Sequence, residues 1–204
     1  MSQIALPLDT TPKAENSGFL VTAANIAVCN QLENWQAWPH MTAILVGPQS
    51  SGKSAILESF SNDSGGYIMD DADSREDEVI FHLWNRAREE HKPLLLTSRM
   101  PVSEWGIVLP DLKSRLASSL LLELGPPDEE MIAGLMQQYF VRRGLSISED
   151  ALAYLAKRMQ RSYRFVELLA AKMDNIAIEQ KKPVTLAVAR AALAEQQSGE
   201  GPDI

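Results

Sequence analysis

One segment constrains the fold of this chain most: Gly47-Pro48-Gln49-Ser50-Ser51-Gly52-Lys53-Ser54. It matches the phosphate-binding pattern G-x-x-x-x-G-K-[ST] at every position. The apolar run Thr42-Ala43-Ile44-Leu45-Val46 comes directly before it, and a helical pattern runs from Lys53 to Phe60. This motif requires a buried parallel strand that leads through a glycine-rich loop into a helix. The sequence therefore predicts phosphate binding at this loop, and the alternative is a chance glycine-rich turn.

Further short apolar runs predict the rest of a sheet. They lie at 66–69, 93–98 and 119–124, and amphipathic helices separate them. In the helix predicted over 75–91, one side carries Val79, Ile80, Leu83, Trp84 and Ala87. Strands that alternate with helices indicate an α/β fold with a parallel sheet, here of four strands. Near the N-terminus, an alanine-rich helix from Phe19 to about Trp38 is predicted to place Ala23, Ile26, Leu32 and Trp35 on one face.

The pattern changes after Gly125-Pro126-Pro127, where only helical signals follow. We predict helices over 128–143, 148–159, 162–180 and 185–195, each opened by a capping residue. The predicted organisation is a flexible tail at 1–18, an α/β nucleotide-binding base at 19–125, an all-α lid at 126–196 and a frayed end at 197–204.

The residues of the motif suit a nucleotide and a magnesium ion. Glycines let the loop wrap around phosphates, Lys53 supplies a positive charge, and Ser54 can ligate Mg²⁺. Asp70 and Asp71 end the second predicted strand, so Asp70 could hold the metal while Asp71 orients an attacking water. Read without the loop, both acids could be solvated turn residues.

The order of motifs resembles the AAA+ ATPases of the DnaA branch over nearly the whole chain. The motifs are the loop, Asp70-Asp71, Leu95-Leu96-Thr97-Ser98, Leu109-Pro110-Asp111-Leu112-Lys113-Ser114-Arg115-Leu116 and Arg161-Ser162-Tyr163-Arg164. The resemblance implies that Arg115 is an arginine finger acting on a neighbouring subunit, and that Arg164 is the sensor 2 arginine touching bound ADP or ATP. The alternatives are a solvated surface arginine at 115 and an Arg164–Glu167 pair.

The sequence departs from the family pattern at two places, and each departure leads to an expectation about this chain. The stretch between Lys53 and Asp70 is too short for the additional strand and helix of the DnaA pattern, so the sheet should have one strand fewer. Where the family's sensor 1 has Asn or Asp, this chain reads Thr97-Ser98-Arg99. We therefore expect weak intrinsic hydrolysis and a nucleotide that is mainly structural.

The N-terminal segment Gln3-Ile4-Ala5-Leu6-Pro7-Leu8 resembles the short motif that binds the bacterial sliding clamp. Pro7 biases Leu6 to extended backbone, so that Gln3 could hydrogen-bond while Leu6 and Leu8 enter an apolar pocket. Read without the family, these residues are a disordered leader. With it, Gln3, Ile4, Leu6, Pro7 and Leu8 are the predicted clamp contacts.

Charge and composition limit the partners. The chain carries 19 Lys and Arg against 27 Asp and Glu, a net charge of -8, so strong direct nucleic acid binding is not expected. DnaA has a further C-terminal DNA-binding domain, and we expect no counterpart of that domain in this chain, in keeping with its acidic charge. No run of about 18 apolar residues predicts a membrane span, and a lone Cys29 agrees with a cytoplasmic location. The sequence leaves a homodimer open.

The resemblance implies a regulator of replication initiation. The resemblance implies that it binds the sliding clamp, holds ADP, and uses Arg115 to promote hydrolysis of DnaA-bound ATP, which inactivates the initiator. One alternative is an autonomous AAA+ ATPase, such as a helicase loader, or a P-loop kinase. Another is a clamp-tethered adaptor that recruits an initiator or helicase without using nucleotide.

Overall fold

The computed structural model describes residues 19–180 and 183–199. The predicted tail at 1–18, with its clamp-binding motif, therefore lies outside the described residues, as do residues 200–204 of the predicted C-terminal end.

A four-stranded parallel sheet forms the centre of the α/β part. Its strands are β1 (Thr42–Val46), β2 (Tyr67–Met69), β3 (Leu94–Ser98) and β4 (Leu120–Glu123), in the spatial order β2-β3-β1-β4. Thr42 pairs with Leu94 and Val46 with Ser98, so the two central strands are in register over their whole length. The prediction of a four-stranded parallel sheet is confirmed.

The short connection between the first two strands is a single helix, α2 (Lys53–Ser64). Gly65 ends it with a φ of 64°, and a Cβ on Gly66 would lie 2.7 Å from the carbonyl oxygen of Pro93. Two glycines are therefore needed where the chain turns directly into β2 against the start of β3.

Helices cover both faces of the sheet because strand side chains alternate between them. On one face, α1 (Ile26–Glu33) and α2 pack against β1 residues Ala43 and Leu45. On the other, α3 (Asp77–Glu89) and α4 (Pro110–Ala117) pack against Ile44. The central strands are buried on both sides, which explains their continuous apolar sequence.

The remaining helices form a second hydrophobic core. They are α5 (Glu129–Arg142), α6 (Glu149–Arg158), α7 (Tyr163–Gln180) and α8 (Leu186–Gly199). Phe140, Leu155 and Leu169 are fully buried among them. Among residues 19–180 and 183–199, no helix has both the length and the apolar character needed to cross a membrane. The division at 19–125, 126–196 and 197–204 stays a prediction.

The segment before α1 joins the two parts. Asp128 accepts hydrogen bonds from the Met131 amide (2.7 Å), the Thr22 hydroxyl (3.0 Å) and the Ala24 amide (3.0 Å). The first of these caps α5. Leu20 packs beside Met131, and a Cβ on Gly134 would lie 2.3 Å from a Leu20 methyl. The absence of a side chain at Gly134 thus lets this segment lie against α5.

Three details of the sequence prediction are wrong. The first helix is shorter than 19–38, and its buried side carries Val28, Cys29 and Leu32, whereas Ala23 and Ile26 are exposed. Val79 is 48% exposed because the core-facing side of α3 follows Ile80, Trp84 and Ala87, at three- and four-residue spacing. The last helix continues to Gly199, beyond the predicted end at 195.

Candidate nucleotide-binding site

The loop between β1 and α2 has a backbone that glycine makes possible. A Cβ on Gly47 would lie 2.9 Å from Cβ of Leu124, so no larger residue fits there without movement. Ser50 and Gly52 adopt left-handed φ values of 63° and 85°. The chain thereby folds back on itself before α2 begins at Lys53, which is the loop geometry that forms anion-binding concavities.

Lys53 is held inside this loop. Its side chain is 7% exposed, and Nζ donates to the carbonyl oxygens of Gly47 (2.8 Å) and Pro48 (2.9 Å). Burial lowers the pKa of Lys53 from its usual value, and this outweighs the opposite effects of Asp71 and Asp70. The ammonium group is thus fixed at the loop beside two carboxylates.

Asp70 accepts hydrogen bonds from several donors at the ends of the strands. Its Oδ2 accepts from the Ser54 hydroxyl (2.6 Å), and its Oδ1 accepts from the Thr97 hydroxyl and from the Asp71 amide (3.1 Å). Burial raises the pKa of Asp70, but these hydrogen bonds and the charge of Lys53 outweigh it, so the pKa lies below its usual value. A hydroxyl and an ionised carboxylate converge here, which is a donor set that fits Mg²⁺.

Asp71 stands beside this pair in a left-handed conformation, with a φ of 50°. Its amide donates to the Thr97 hydroxyl (3.0 Å), and its carboxylate lies 3.7 Å from the Arg99 guanidinium. Both side chains of that ion pair are largely exposed, so the pair is weak. Thr97 thus contacts both acidic residues through its single hydroxyl.

Helix α7 contacts the loop between β1 and α2 through two hydrogen bonds. Arg164 of α7 donates to the side chain of Gln49 (3.1 Å), and the Ser50 hydroxyl donates to Glu167 (2.7 Å). The sequence alternative of an Arg164–Glu167 pair is therefore not what the structure shows. Between the loop, the strand ends and the lid lies a cavity of 540 Å³.

Eight of the eleven residues predicted for the nucleotide and metal site line this cavity: Gln49, Ser50, Ser51, Gly52, Lys53, Ser54, Asp70 and Asp71. Gly47, Pro48 and Arg164 contact lining residues without lining it themselves. Sequence reasoning missed Tyr139 of α5 and Arg143, the residue after α5, which both line the cavity. Arg143 pairs with Asp174 (2.7 Å) and stacks over the Tyr139 ring (4.2 Å). No motif marks these two, because they reach the site only through the packing of α5 on α7.

Arg115 lies elsewhere, where α4 crosses α3. Its guanidinium contacts Asp111 (2.5 Å) and Asn85 (2.6 Å), and stacks over the rings of Trp84 (4.2 Å) and Phe81 (4.7 Å). The side chain is 25% exposed. Arg115 does not line the cavity.

Comparison with known proteins identifies relatives of this architecture. No protein-family model matches the chain. The chain is 35% identical over 120 residues to the chromosomal replication initiator protein DnaA of Thermus thermophilus, and 31% identical over 123 residues to DnaA of Lactobacillus delbrueckii. The first match covers 59% of this chain and 27% of the relative, so the chain matches about a quarter of the length of these initiators.

Solved structures show the same fold. Domain III of the Thermotoga maritima replication initiation protein DnaA superimposes with a TM-score of 0.70 at 18% identity, over 91% of this chain and 97% of that domain. AMPPCP-bound DnaA from Aquifex aeolicus gives 0.58 at 18% identity, over 83% of this chain and 66% of that one. The T. maritima RuvB branch migration motor gives 0.58 at 15% identity, over 83% and 68%. The chain therefore has the AAA+ fold of DnaA domain III, and its sequence is similar to that of DnaA.

Proposed function

We propose that this chain regulates the initiation of DNA replication, in the manner of Hda, the DnaA-related regulatory inactivator. One observation carries the proposal: a chain with sequence similarity to the initiator DnaA keeps a phosphate-binding loop with its lysine, serine and acidic residues in one cavity. In its ADP form, tethered to the sliding clamp, the protein would promote hydrolysis of ATP bound to DnaA and so inactivate the initiator.

The proposed ligand of the cavity is ADP or ATP. The loop 47–54 would hold the phosphates, and Arg164, now bonded to Gln49, would contact the nucleotide from the lid. Ser54 and Asp70 would hold Mg²⁺, which neutralises phosphate charge when bound. Two of the DnaA structures that share this fold are described as bound to AMPPCP, which supports a nucleotide at the corresponding place.

Arg115 is the proposed finger. A guanidinium is permanently charged and planar, so it can stabilise the charge that develops during phosphoryl transfer on a neighbouring molecule. To reach such a phosphate, the side chain has to exchange its contacts with Asp111 and Asn85 for phosphate oxygens. The Trp84 and Phe81 rings then remain as the support from which it extends.

Clamp binding is proposed for Gln3, Ile4, Leu6, Pro7 and Leu8, which lie outside the described residues. Between Leu8 and Phe19 the chain can span at most ~40 Å. Capture of this segment by a clamp on DNA would keep the protein near DnaA at the replicating site, which raises the effective concentration of one partner for the other.

The test is hydrolysis of DnaA-bound ATP in the presence of this protein, ADP and DNA-loaded clamp. We expect stimulation that is lost when residues 1–8 are deleted, and lost with Arg115→Ala while ADP binding persists. Omitting the clamp provides the control for tethering. No stimulation with the cognate initiator and clamp would refute the regulatory function.

A second candidate function has specific support in the site. Lys53, Ser54, Asp70 and Asp71 line one cavity, which is the set that an autonomous AAA+ ATPase would use on its own ATP. Steady-state ATP hydrolysis with and without single-stranded DNA separates this candidate from the regulator, because only the autonomous ATPase should turn over without DnaA. A clamp-tethered adaptor that ignores nucleotide would keep its function in a folded Lys53→Ala variant.

A further inference from the structure

Glu167 brings a carboxylate from the lid to the tip of the phosphate-binding loop. Its Oε2 accepts the 2.7 Å hydrogen bond from the Ser50 hydroxyl, and both residues line the cavity. Ser50 is one of the two loop residues in a left-handed conformation. The carboxylate therefore stands against the part of the loop that bends around the phosphate position.

The other acidic groups of the cavity have partners for their charge. Asp70 accepts from two hydroxyls and an amide, and Asp71 faces Arg99. Glu167, in contrast, forms no ion pair within the part of the chain that the structure describes. The arginine one turn earlier on α7, Arg164, donates to Gln49 instead. Glu167 thus contributes a negative charge to the cavity without a direct ion pair, while the cations Lys53, Arg99, Arg142 and Arg143 line the same cavity.

We propose that Glu167 determines how many phosphates the site accepts, and makes it prefer a nucleoside diphosphate to the triphosphate. Each added phosphate brings negative charge into the cavity, and a fixed carboxylate at the loop repels that charge. The proposal rests on the nucleotide binding proposed above, and it names the residue that would keep the protein in its ADP form.

Glu167 could act on binding in a second way, through its hydrogen bond. Breaking the Ser50–Glu167 bond to admit phosphates would cost the same for ADP and for ATP, because the same bond is lost in both cases. A charge effect changes the ratio of the two affinities, whereas a bond effect changes both affinities equally. Substitutions at the two ends of this bond therefore distinguish the two mechanisms.

The experiment is equilibrium binding of Mg²⁺–ADP and Mg²⁺–ATP to the full chain by calorimetry, without DnaA or clamp. Glu167→Gln keeps the size and the hydrogen bonding of the side chain, and we expect it to raise the affinity for ATP relative to ADP by about five- to tenfold, less at high salt. Ser50→Ala should leave the ratio unchanged. Glu179→Gln, an exposed site on the same helix away from the cavity, is the control and should also leave it unchanged.

An unchanged ratio in folded Glu167→Gln, or the same change in Ser50→Ala or Glu179→Gln, overturns the role of Glu167 alone. Failure of the unaltered protein to bind either nucleotide overturns the nucleotide-binding proposal, and this role with it.

Discussion

Removing the Arg115 side chain should destabilise the protein whether or not Arg115 acts as a finger. Arg115→Ala deletes a charged hydrogen bond to Asn85, stacking on Trp84 and Phe81, and an exposed ion pair to Asp111. A hydrogen bond to a charged group contributes about 1.5–3 kcal/mol, a partly buried cation–π contact about 1 kcal/mol, and an exposed ion pair about 0.5 kcal/mol. Because these contacts share one group, we expect a loss of about 2–4 kcal/mol.

The assay is urea unfolding at pH 7, followed by tryptophan fluorescence and by circular dichroism. Lys113→Ala is the matched control, since it removes a cation from the exposed side of the same helix and should cost under about 0.5 kcal/mol. A loss for Arg115→Ala below about 1 kcal/mol, or equal to that of Lys113→Ala, would refute the contribution assigned to these contacts.

This structural contribution changes how the finger must be tested. Asn85→Ala removes a contact of Arg115 but keeps the arginine, so it should lower stability by about 1–2 kcal/mol and still permit stimulated hydrolysis. Arg115→Lys keeps a positive charge but loses the planar fork, and should lower stimulation while binding ADP normally. Equal loss of stimulation in Asn85→Ala and Arg115→Ala, in proportion to stability, would indicate a purely structural residue.

Three further predictions concern Thr97, Cys29 and Gly134, and each depends on a different physical effect. The Thr97→Val variant should lose about 1–2 kcal/mol of unfolding free energy at pH 7. Thr97 helps to keep the pKa of Asp70 below its usual 3.8, so this stability is present above pH 3.8 and is lost as pH falls through the lowered pKa of the folded state. In urea unfolding, a difference between the variant and the unaltered protein that does not narrow as pH falls below 3.8 would contradict this expectation. Burial, with a smaller effect of Glu33, raises the pKa of the Cys29 thiol, so at pH 8 a thiol reagent should label the native protein at least ~10-fold more slowly than the urea-unfolded chain, and equal rates would contradict this. Gly134→Ala should destabilise by about 1 kcal/mol through its contact with Leu20, and in a Leu20→Ala background the same change should become stabilising by helix propensity, as thermal unfolding would show.

The sequence predicts the strands well because a parallel sheet between two helical layers leaves a simple pattern. Runs such as Leu94–Ser98 are buried on both faces, so they are continuously apolar. The spatial order of the strands cannot be predicted from such local patterns, because it depends on the side of β1 to which each crossover connection leads. Helix faces are harder for a related reason: Ile26 and Val79 are apolar but exposed, and only the position of the sheet shows which neighbouring residues face inward.

In the candidate site, too, some residues could be predicted from the sequence and others could not. The sequence places several site residues directly after strand ends: the loop with Lys53 and Ser54 follows β1, and Asp70 and Asp71 follow β2. Because the strands of a parallel sheet end at the same edge, these residues could be predicted to lie together. Contacts from the lid are different, since Ser50 and Glu167 are far apart in sequence and meet only through tertiary packing. The contacts of Arg115 could not be predicted from its motif either, because Asn85 belongs to another helix.

Asp128 has a mechanical consequence. The chain passes from the sheet to the helical part through Gly125-Pro126-Pro127. With this connection alone, the two parts would be joined by a single hinge. The bonds from Thr22 and Ala24 to the same carboxylate that caps α5 add a second attachment. Rotation of α5 must therefore either break these bonds or pull the N-terminal segment along. A displacement of the segment before α1 is thus transmitted to α5, whose residues line the cavity, and a movement of α5 is transmitted back to that segment.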